Sequence, residues 1–514
     1  MGRLRMALML LVTFILGISF GYGLTLFAQS SEGGEEKLSF SQMTDVLIQT
    51  LNTIKKYYVV EVKPTKLLEN AAKGMVRLSL DAHSDLLTPE ETKRLMESTE
   101  GSYEGVGMTI GERNGFVVVI APFEGTPAWR AGLKPGDRII RINDTSVIGW
   151  NVDQVSKHLR GPRGTKVKVT VYRPAINDTL TFVITRDRIV LKAVPFYGMF
   201  NKKVGYVKLN SFQEDAADKI YEALEKLKRE GAKAVVLDLR GNPGGLLRQA
   251  FLIGGFFLGE GKLVVYTEGR IPDSKERFYS EGDMVFPEEV PVIVLIDGGS
   301  ASASEIVAGA LQDWDRALIV GDTSFGKGTV QRIFRLPYDY TLRLTIARYH
   351  TPSGRSIHKG KLGDIEKDTN TYFTKILKRP IKGGGGIAPD VYVKPHVLPR
   401  LVQKAEAKGV ISNWATKYTS RHRKPKRPED INLTEADLQD FKRDLRKAGV
   451  EFSDCRFDEA KEDFKRLLLM EIAYQYFGER GRYRILLRYD PVFKKALEIL
   501  GKAKRTEDLF KIKR

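Results

Sequence analysis

The chain has 514 residues, of which 42% are hydrophobic and 29% are charged. This length suffices for about three or four domains, and the hydrophobic content lets most of the chain bury a core. Cys455 is the single cysteine, so no internal disulfide can form. The chain is therefore not a disulfide-stapled scaffold, although export is not excluded.

The formal net charge is +19, and a basic cluster lies at residues 421–427. Such a segment favours anionic membranes or nucleic acid, but a solvated, helical, basic surface explains the same pattern. No module that mixes basic and aromatic residues is visible. We therefore expect no nucleic-acid partner.

The first residues have the pattern of an export segment. Arg3 and Arg5 precede an uncharged, mostly apolar run at residues 6–28, which is typical of exported chains. The run is about long enough to cross a bilayer, while Ala28 before a polar stretch fits a cleavage site. We favour an uncleaved membrane anchor over a cleaved signal peptide. A buried helix of a soluble domain is the third interpretation.

Residues 38–98 have a helical pattern. Apolar residues recur near helical spacing over residues 46–58 and 67–78, and residues 88–91 (Thr-Pro-Glu-Glu) are typical of a helix start. His83 is either catalytic or structural. We favour the structural role, because a lone histidine at a helix end more often has one.

From residue 101 the pattern changes to short apolar strands and glycine turns, which predicts a small, mostly β domain. The predicted strands are 116–120, 138–143, 167–172 and 179–185, with short helices near 128–132 and 152–159.

From residue 203 strands and helices alternate, which predicts an α/β core. The predicted strands are 204–209, 234–239, 263–266, 290–296, 317–320 and 341–349, and the predicted helices are 216–229, 246–257 and 303–312. The four glycines 383–386 are expected to form a flexible break. Beyond residue 399 the chain is charged and helical, most clearly at 461–476 and 491–500.

Residues 298–305 (Gly-Gly-Ser-Ala-Ser-Ala-Ser-Glu) lie between a buried strand and a helix. A serine at the positive end of a helix dipole suits a nucleophile whose reaction develops an oxyanion. Ser302 and Glu305 also fit the S-x-x-E capping box, in which the serine only caps the helix. Spacing alone leaves both roles open.

Residues 321–328 nearly match the phosphate-binding pattern G-x-x-x-x-G-K-[ST]. Gly328 replaces the required hydroxyl and a strand follows instead of a helix, which disfavours a nucleotide site. Lys327, between two glycines, can instead approach another site closely. A serine with a lysine base is an established arrangement for acyl transfer, and it requires a neutral lysine, which burial or a nearby cation favours.

A Gly-X-Gly-hydrophobic loop stands at the start of the predicted β domain, formed by Gly105, Val106, Gly107 and Met108. Such a loop can turn backbone N–H groups towards the terminal carboxylate of a peptide that adds as an extra strand. Many glycine-rich hairpins look alike, but the place of this one in a β-rich unit favours peptide binding.

These motifs resemble the carboxyl-terminal processing proteases, which are serine peptidases with an embedded PDZ domain. The resemblance covers residues 40–393 and is carried by three motifs in the family's order, at 236–245, 299–306 and 321–331. Residues 105–137 resemble the PDZ part. Ala82 departs from the family's usual proline, and the chain beyond residue 399 resembles only some longer members.

The resemblance implies an α+β multidomain fold. Its expected parts are a signal peptide or anchor (1–30), a helical N-terminal region (38–98), an inserted PDZ domain (99–188), a crotonase/ClpP-like α/β protease core (189–395) and a basic helical C-terminal extension (396–514).

Carried over by position, the resemblance assigns the nucleophile to Ser302 and the general base to Lys327, with Gln331 orienting the lysine. The implied oxyanion hole combines the Ala303 amide with an amide of Gly244 or Gly245.

In the PDZ part, the family's carboxylate loop falls on Gly105, Val106, Gly107 and Met108. Arg160 matches an arginine that links PDZ engagement to activation, although a plain surface arginine explains it equally well. Asp313 matches an acidic position that we expect to be structural.

We therefore expect an exported serine endopeptidase on the periplasmic or cell-envelope side of the inner membrane, without metal or organic cofactor. The expected partners are polypeptides with exposed apolar C-termini, the membrane, further copies of the chain and a regulatory protein. The alternative is a catalytically silent PDZ scaffold on a crotonase-like core. The complete set of Ser302, Lys327 and Gln331 disfavours it.

Overall fold

The computed structural model describes residues 38–360 and 366–512, so the predicted export segment at residues 6–28 lies outside the described residues. Among the described helices, none combines the length and apolarity needed to span a membrane. The chain divides into two compact units, Met1–Met75 and Val76–Arg514.

The first unit contains helix α1 (Phe40–Tyr57) and most of helix α2 (Pro64–Ser79). A capping box starts α1, because the Ser39 hydroxyl accepts from the Gln42 amide (3.3 Å) and the Gln42 side chain accepts from the Ser39 amide (2.7 Å). The helices predicted from apolar spacing over residues 46–58 and 67–78 are confirmed.

The second unit begins with a β-rich domain and the elements that lead into it. In chain order these elements are β1 (Asp85–Leu87), α3 (Pro89–Glu100), β2 (Ser102–Gly105), β3 (Met108–Arg113), β4 (Phe116–Pro122), α4 (Pro127–Ala131), β5 (Arg138–Ile142), β6 (Thr145–Ser146), α5 (Val152–Leu159), β7 (Lys166–Arg173), β8 (Asp178–Thr185) and β9 (Asp187–Val190). The main sheet is antiparallel in the order β3-β4-β5-β7-β8, and β2 pairs with β9. Residues 167, 169 and 171 of β7 alternate into the core, as a half-buried strand requires.

A larger α/β core follows. Its elements are β10 (Phe196–Phe200), β11 (Val204–Lys208), α6 (Ala216–Arg229), β12 (Ala234–Asp238), α7 (Leu247–Leu258), β13 (Leu263–Gly269), β14 (Arg277–Tyr279), β15 (Val292–Ile296), α8 (Ala303–Asp313), β16 (Leu318–Gly321), β17 (Thr329–Arg335), β18 (Thr341–His350), β19 (Thr371–Phe373), β20 (Pro380–Lys382) and β21 (Val391–Tyr392). The central sheet has the order β10-β11-β12-β15-β16-β21 and is parallel except at β10. A second, antiparallel sheet surrounds β18, which pairs with β1, β13 and β17.

Both faces of the central sheet are buried, which explains the continuous apolar runs of its strands. On β12, Val235 and Leu237 contribute to the cluster that contains α6, α7 and α8, whereas Val236 points to the other face. That other face is covered by helix α14 (Pro491–Lys502) of the C-terminal extension.

The C-terminal extension is helical, as predicted. Before α14 it contains α9 (Arg400–Ala407), α10 (Val410–Arg421), α11 (Glu435–Lys447), α12 (Asp454–Glu459) and α13 (Lys461–Tyr489). Gly478, with φ 65°, breaks the helical geometry within α13. Before this break, Tyr474 donates to the carbonyl of Pro122 in the β-rich domain, and after the break the chain continues into α14. The extension thus contacts both other domains of the unit.

The four glycines 383–386 do not form the flexible break expected from their composition. The Gly384 amide donates to Ser356 O (2.6 Å) and the Gly386 amide donates to Ile357 O (2.9 Å). A Cβ at Gly384 would lie 1.9 Å from the carbonyl oxygen of Asp368. The glycines therefore serve close backbone packing.

Candidate active site

Ser302 stands between β15 and α8, directly before the helix, with φ 54° and ψ −114°. These angles are those of the first central residue of a type II′ turn, a position dominated by glycine. A non-glycine residue held in such a region costs about 1–3 kcal/mol, and residues of this kind cluster at functional sites. The backbone strain at Ser302 therefore supports a functional role independently of any motif.

The three serines of the segment differ in their surroundings. Ser300 and Ser304 are fully buried, and their hydroxyls donate to the carbonyls of Leu239 (2.9 Å) and Asn242 (2.9 Å). Ser302 is partly exposed. Of the three, it has the side chain that a polypeptide can reach.

The Glu305 carboxylate joins two loops of the site. Its Oε2 atom accepts from the amides of Ser302 (2.8 Å) and Lys327 (2.9 Å), and its Oε1 atom accepts from the Ser324 hydroxyl (2.5 Å) and the Gly326 amide (2.7 Å). Burial raises the pKa of Glu305, although these four donors oppose the rise. The S-x-x-E spacing indicated only the contact to Ser302, whereas the structure adds the contacts to the lysine loop.

Tyr349 of β18 makes a second link between the same two residues. Its buried hydroxyl lies within hydrogen-bonding distance of the carbonyls of Lys327 and Ser302 (3.2 Å for the latter). The backbones of both residues are therefore held at the amide and at the carbonyl. Sequence reasoning did not find Tyr349, because an apolar strand residue gives no local signal.

Lys327 lies in the loop between β16 and β17. A Cβ at Gly328 would lie 2.7 Å from the His358 amide, so glycine permits the close passage of that segment. Burial lowers the pKa of Lys327 and the charge of Arg343 lowers it further, against the opposing effect of Glu305. Over residues 38–360 and 366–512, no ion pair involves Lys327. Burial and the charge of Arg343 both favour the neutral form of Lys327.

Gln331, predicted to orient the lysine, lies on β17 opposite Thr345. Its side-chain amide donates to the hydroxyls of Thr329 (2.9 Å) and Thr345 (3.2 Å), and Thr345 donates to Asp81 Oδ1 (3.0 Å). Within the part of the chain that the structure describes, it makes no hydrogen bond to Lys327. Gln331 thus lies near the lysine loop without contacting the ammonium group directly.

The loop after β12 approaches Ser302 closely. A Cβ at Gly244 (φ 99°) would lie 2.8 Å from Ser302 Cβ and 2.9 Å from the Ala303 amide nitrogen, so only glycine fits. The Gly244 amide donates to Asn242 Oδ1 (2.9 Å). The amides of Gly245 and Ala303 have no acceptor among the described residues, and they are therefore available for a ligand.

Family models match three parts of the chain. The model described as Peptidase family S41 matches residues 203–371, and that of a PDZ domain matches residues 118–173. A third, described as the C-terminal helical domain of a probable PDZ-protease, matches residues 401–457 and 453–500.

Curated relatives match across these parts. A carboxy-terminal-processing protease of Bartonella bacilliformis is 39% identical over 351 residues, which are 67% of this chain and 79% of that protein. The carboxy-terminal processing protease CtpA of Bacillus subtilis is 34% identical over 360 residues, 70% of this chain and 75% of that protein. The chain belongs to the carboxy-terminal processing proteases. It is a serine peptidase of family S41 with a PDZ domain and a helical C-terminal domain.

A solved structure is similar to part of this chain. It is the PDZ domain of the carboxy-terminal protease of Vibrio cholerae in complex with peptide, which is 31% identical, covers 18% of this chain and 99% of its own, and has a TM-score of 0.17.

A cleft of about 720 Å³ lies beside the loops that carry Ser302 and Lys327, and Asp81, His83 and His358 line it. Burial lowers the pKa of His83, as does the nearby charge of Lys327. The backbone of His83 has a structural role, because its carbonyl accepts from Arg343 (3.1 Å) and its amide donates to Asp81 (2.8 Å). The predicted structural histidine therefore also borders the cleft.

Asp313, at the end of α8, is fully buried. Its carboxylate accepts from the Arg355 guanidinium (2.9 Å) and from the Ser353 amide (2.8 Å). These contacts fit the structural role expected for this residue.

The PDZ loop at residues 105–108 borders a groove of about 250 Å³, whose lining includes Val106, Met108 and Leu159. Gly107 has φ 82°, and its carbonyl accepts from the Phe123 amide (2.9 Å). The groove is thus apolar beside a backbone turn that glycine permits.

Arg160 follows α5 at the rim of this groove. It forms an ion pair with Glu97 of α3, and its guanidinium lies 4.5 Å from the ring centroid of Tyr103. The arginine therefore contacts both the PDZ domain and the segment before it, and it is not an isolated surface residue.

Proposed function

We propose that the chain is an exported endopeptidase in which Ser302 attacks the scissile carbonyl and Lys327 takes its proton. The observation that carries this proposal is the Glu305 Oε2 atom, which accepts from the amides of both residues (2.8 and 2.9 Å). One carboxylate thereby fixes the backbones of the nucleophile and the base relative to each other. Reacting groups held in a fixed mutual position react far faster than free ones.

The lowered pKa of Lys327 supports its role as the base. In the first step the Ser302 hydroxyl proton passes to the neutral amine while the Oγ–C bond forms. The resulting ammonium group then protonates the leaving amine of the substrate. Water, deprotonated by the same lysine, releases the acyl group and restores Ser302.

For the oxyanion we propose the amides of Gly245 and Ala303. Both lack an acceptor in the described part of the chain, whereas the Gly244 amide is already bound to Asn242. Gly244 instead supplies the close approach to Ser302. Gln331 acts as a positioning residue through Thr329, which begins β17 directly after the lysine loop, and through Thr345 on the neighbouring strand β18.

The PDZ domain captures the C-terminus of a polypeptide by strand addition, with its carboxylate at residues 105–108 and an apolar side chain in the adjacent groove. Through its ion pair with Glu97, Arg160 couples this binding to helix α3. Amidating the C-terminus of a substrate should therefore raise KM. An unchanged KM would contradict capture by the carboxylate.

The export pattern of residues 3–28 supports a location on the periplasmic or cell-envelope side of the inner membrane, with the N-terminal segment as anchor. The proposed location outside the inner membrane is tested by adding a protease to spheroplasts and measuring whether it reaches the tagged C-terminus. We further propose that the chain forms a homo-oligomer and that a regulatory protein switches the enzyme on.

The parallel strands β11, β12, β15 and β16 support classing the core as crotonase/ClpP-like.

Separate alanine variants of the two residues test the mechanism on an unfolded polypeptide. Ser302→Ala should abolish cleavage, and Lys327→Ala should lower kcat by about 10²–10⁴-fold. Ser300→Ala and Ser304→Ala are matched controls in the same segment, and they should retain cleavage in the folded state. Wild-type activity of Ser302→Ala, or loss of cleavage in a folded control variant, would show that the nucleophile is misassigned.

A further inference from the structure

The loop that carries Gly244 and Gly245 rests on a buried network of charges. Asp238, at the end of β12, accepts from Arg240 Nη2 (2.6 Å) and from the Tyr206 hydroxyl (2.7 Å). The Lys208 ammonium group donates to the Arg240 carbonyl. Arg240 is therefore held by its backbone and by its side chain, four and five residues before the two glycines.

Asp490, in the C-terminal extension, completes this network. It separates α13 from α14, and its Oδ1 atom caps α14 by accepting from the amides of Val492 (2.8 Å) and Phe493 (3.1 Å). Its Oδ2 atom pairs with Arg240 Nη2 at 2.6 Å. The two oxygens of one carboxylate thus have separate functions, one within the extension and one towards the loop.

The network pairs opposite charges. Burial disfavours the charged form of Arg240, but Asp238 and then Asp490 outweigh burial and raise its pKa. Lys208 is the second cation, and Asp238 and Asp490 are the two anions. Removing the Asp490 charge leaves Asp238 as the remaining carboxylate paired with Arg240, and breaking a buried pair in this way strongly disturbs its surroundings.

We propose that Asp490 is a positioning residue for the oxyanion loop, so that the C-terminal extension takes part in catalysis. The inference rests on the proposed function, in which the Gly245 amide binds the oxyanion. Asp490 holds the Arg240 side chain, Arg240 sets the path of residues 241–245, and that path places the amide. A donor that is misplaced loses transition-state stabilisation and leaves ground-state binding unchanged.

Two substitutions separate the two functions of the carboxylate. Asp490→Asn keeps a preferred N-cap residue but removes the charge, whereas Asp490→Glu keeps the charge but is not a preferred N-cap. We expect kcat to fall about tenfold in Asp490→Asn at constant KM, and to recover largely in Asp490→Glu. The thermal midpoint should follow the opposite order, with Asp490→Glu the less stable.

Asp454→Asn is the control variant, because it removes another carboxylate of the extension that pairs with an arginine, Arg446 at 2.5 Å. It should leave kcat and KM unchanged. A wild-type kcat for Asp490→Asn, or activities that follow thermal stability, would overturn the proposal and leave Asp490 as a helix cap. If Ser302→Ala remains active, the proposed function itself fails, whatever the Asp490 variants do.

Discussion

The loops around Ser302 and the C-terminal extension are held by different forces. The loops are fixed by hydrogen bonds to one carboxylate, since Glu305 receives four donors and no cation pairs with it among the described residues. The extension is held chiefly by apolar packing of α14 on the central sheet and by the buried ion pair of Asp490 with Arg240.

This difference follows from what each region must do. Catalytic groups need their backbones at fixed distances, which directional hydrogen bonds supply. A covering helix needs contact area, which many combinations of apolar residues supply. Consequently the loops have recognisable sequence motifs, whereas the residues that hold the extension in place form no recognisable motif.

The largest expected effect tests the packing of the extension. Phe493 is fully buried, with its ring 4.9 Å from that of Phe200 and 5.2 Å from that of Tyr206. Phe493→Ala should lower the free energy of unfolding by about 3–5 kcal/mol, measured by urea denaturation. Lys494→Ala, on the exposed side of the same helix, is the control. A loss below about 1 kcal/mol would mean that α14 is not essential to the core.

The next effect tests the hydrogen bonds of the loops. Glu305→Gln replaces one acceptor oxygen by an NH₂ group that faces two donors. We expect kcat to fall about 100-fold, on the scale of one lost oxyanion-hole donor, because Ser302 and Lys327 lose their common acceptor. Glu222→Gln, on the surface, should have no effect. Full activity of Glu305→Gln in steady-state assays would refute this role for the carboxylate.

A smaller effect concerns the base. Arg343 lowers the pKa of Lys327, so removing its charge should raise that pKa. Because the proposed mechanism needs the neutral amine, the rising limb of kcat/KM should move to higher pH in Arg343→Gln. At pH values below the limb, kcat/KM should fall about tenfold for each unit by which the pKa rises. Arg343→Lys keeps the charge and should keep the limb. An unmoved limb in Arg343→Gln would exclude Lys327 as the group that titrates.

The smallest effect concerns a pair that is neither buried nor part of a motif. Arg160 is 39% exposed in its ion pair with Glu97, and solvent screens such pairs. Glu97→Gln should change the free energy of unfolding by less than about 1 kcal/mol, and less still at high salt. A loss as large as that of Phe493→Ala would show that the PDZ contact is a main support of the fold.

Local patterns predicted much of the fold. Helix α6 was predicted at 216–229 and is observed at Ala216–Arg229, because its apolar face is complete over the whole length. Strand β15 was predicted two residues too long, at 290–296 instead of Val292–Ile296. The helix predicted at 461–476 ends at the break that Gly478 makes within α13, and a second helical segment follows this break to Tyr489. A glycine with positive φ usually ends a helix.

The parts that could not be predicted are contacts between distant segments. The capping-box spacing predicts the hydrogen bond between Glu305 and the Ser302 amide, three residues earlier. Nothing in the local sequence indicates that the same carboxylate also reaches Lys327. Asp490 before Pro491 is an ordinary helix start, so its bond to Arg240 has no sequence signal. For Gln331, the partner Thr329 is two residues away on the same strand, whereas the partner Thr345 on β18 depends on the strand register.

The backbone angle of Ser302 has a consequence for laboratory evolution. Glycine adopts φ 54° and ψ −114° without the strain that serine bears. A library of this peptidase that is screened for heat resistance alone would therefore enrich glycine at position 302 and lose its hydroxyl. Screens for robust variants of this enzyme need a cleavage readout in every round, because selection for stability alone would remove the proposed nucleophile.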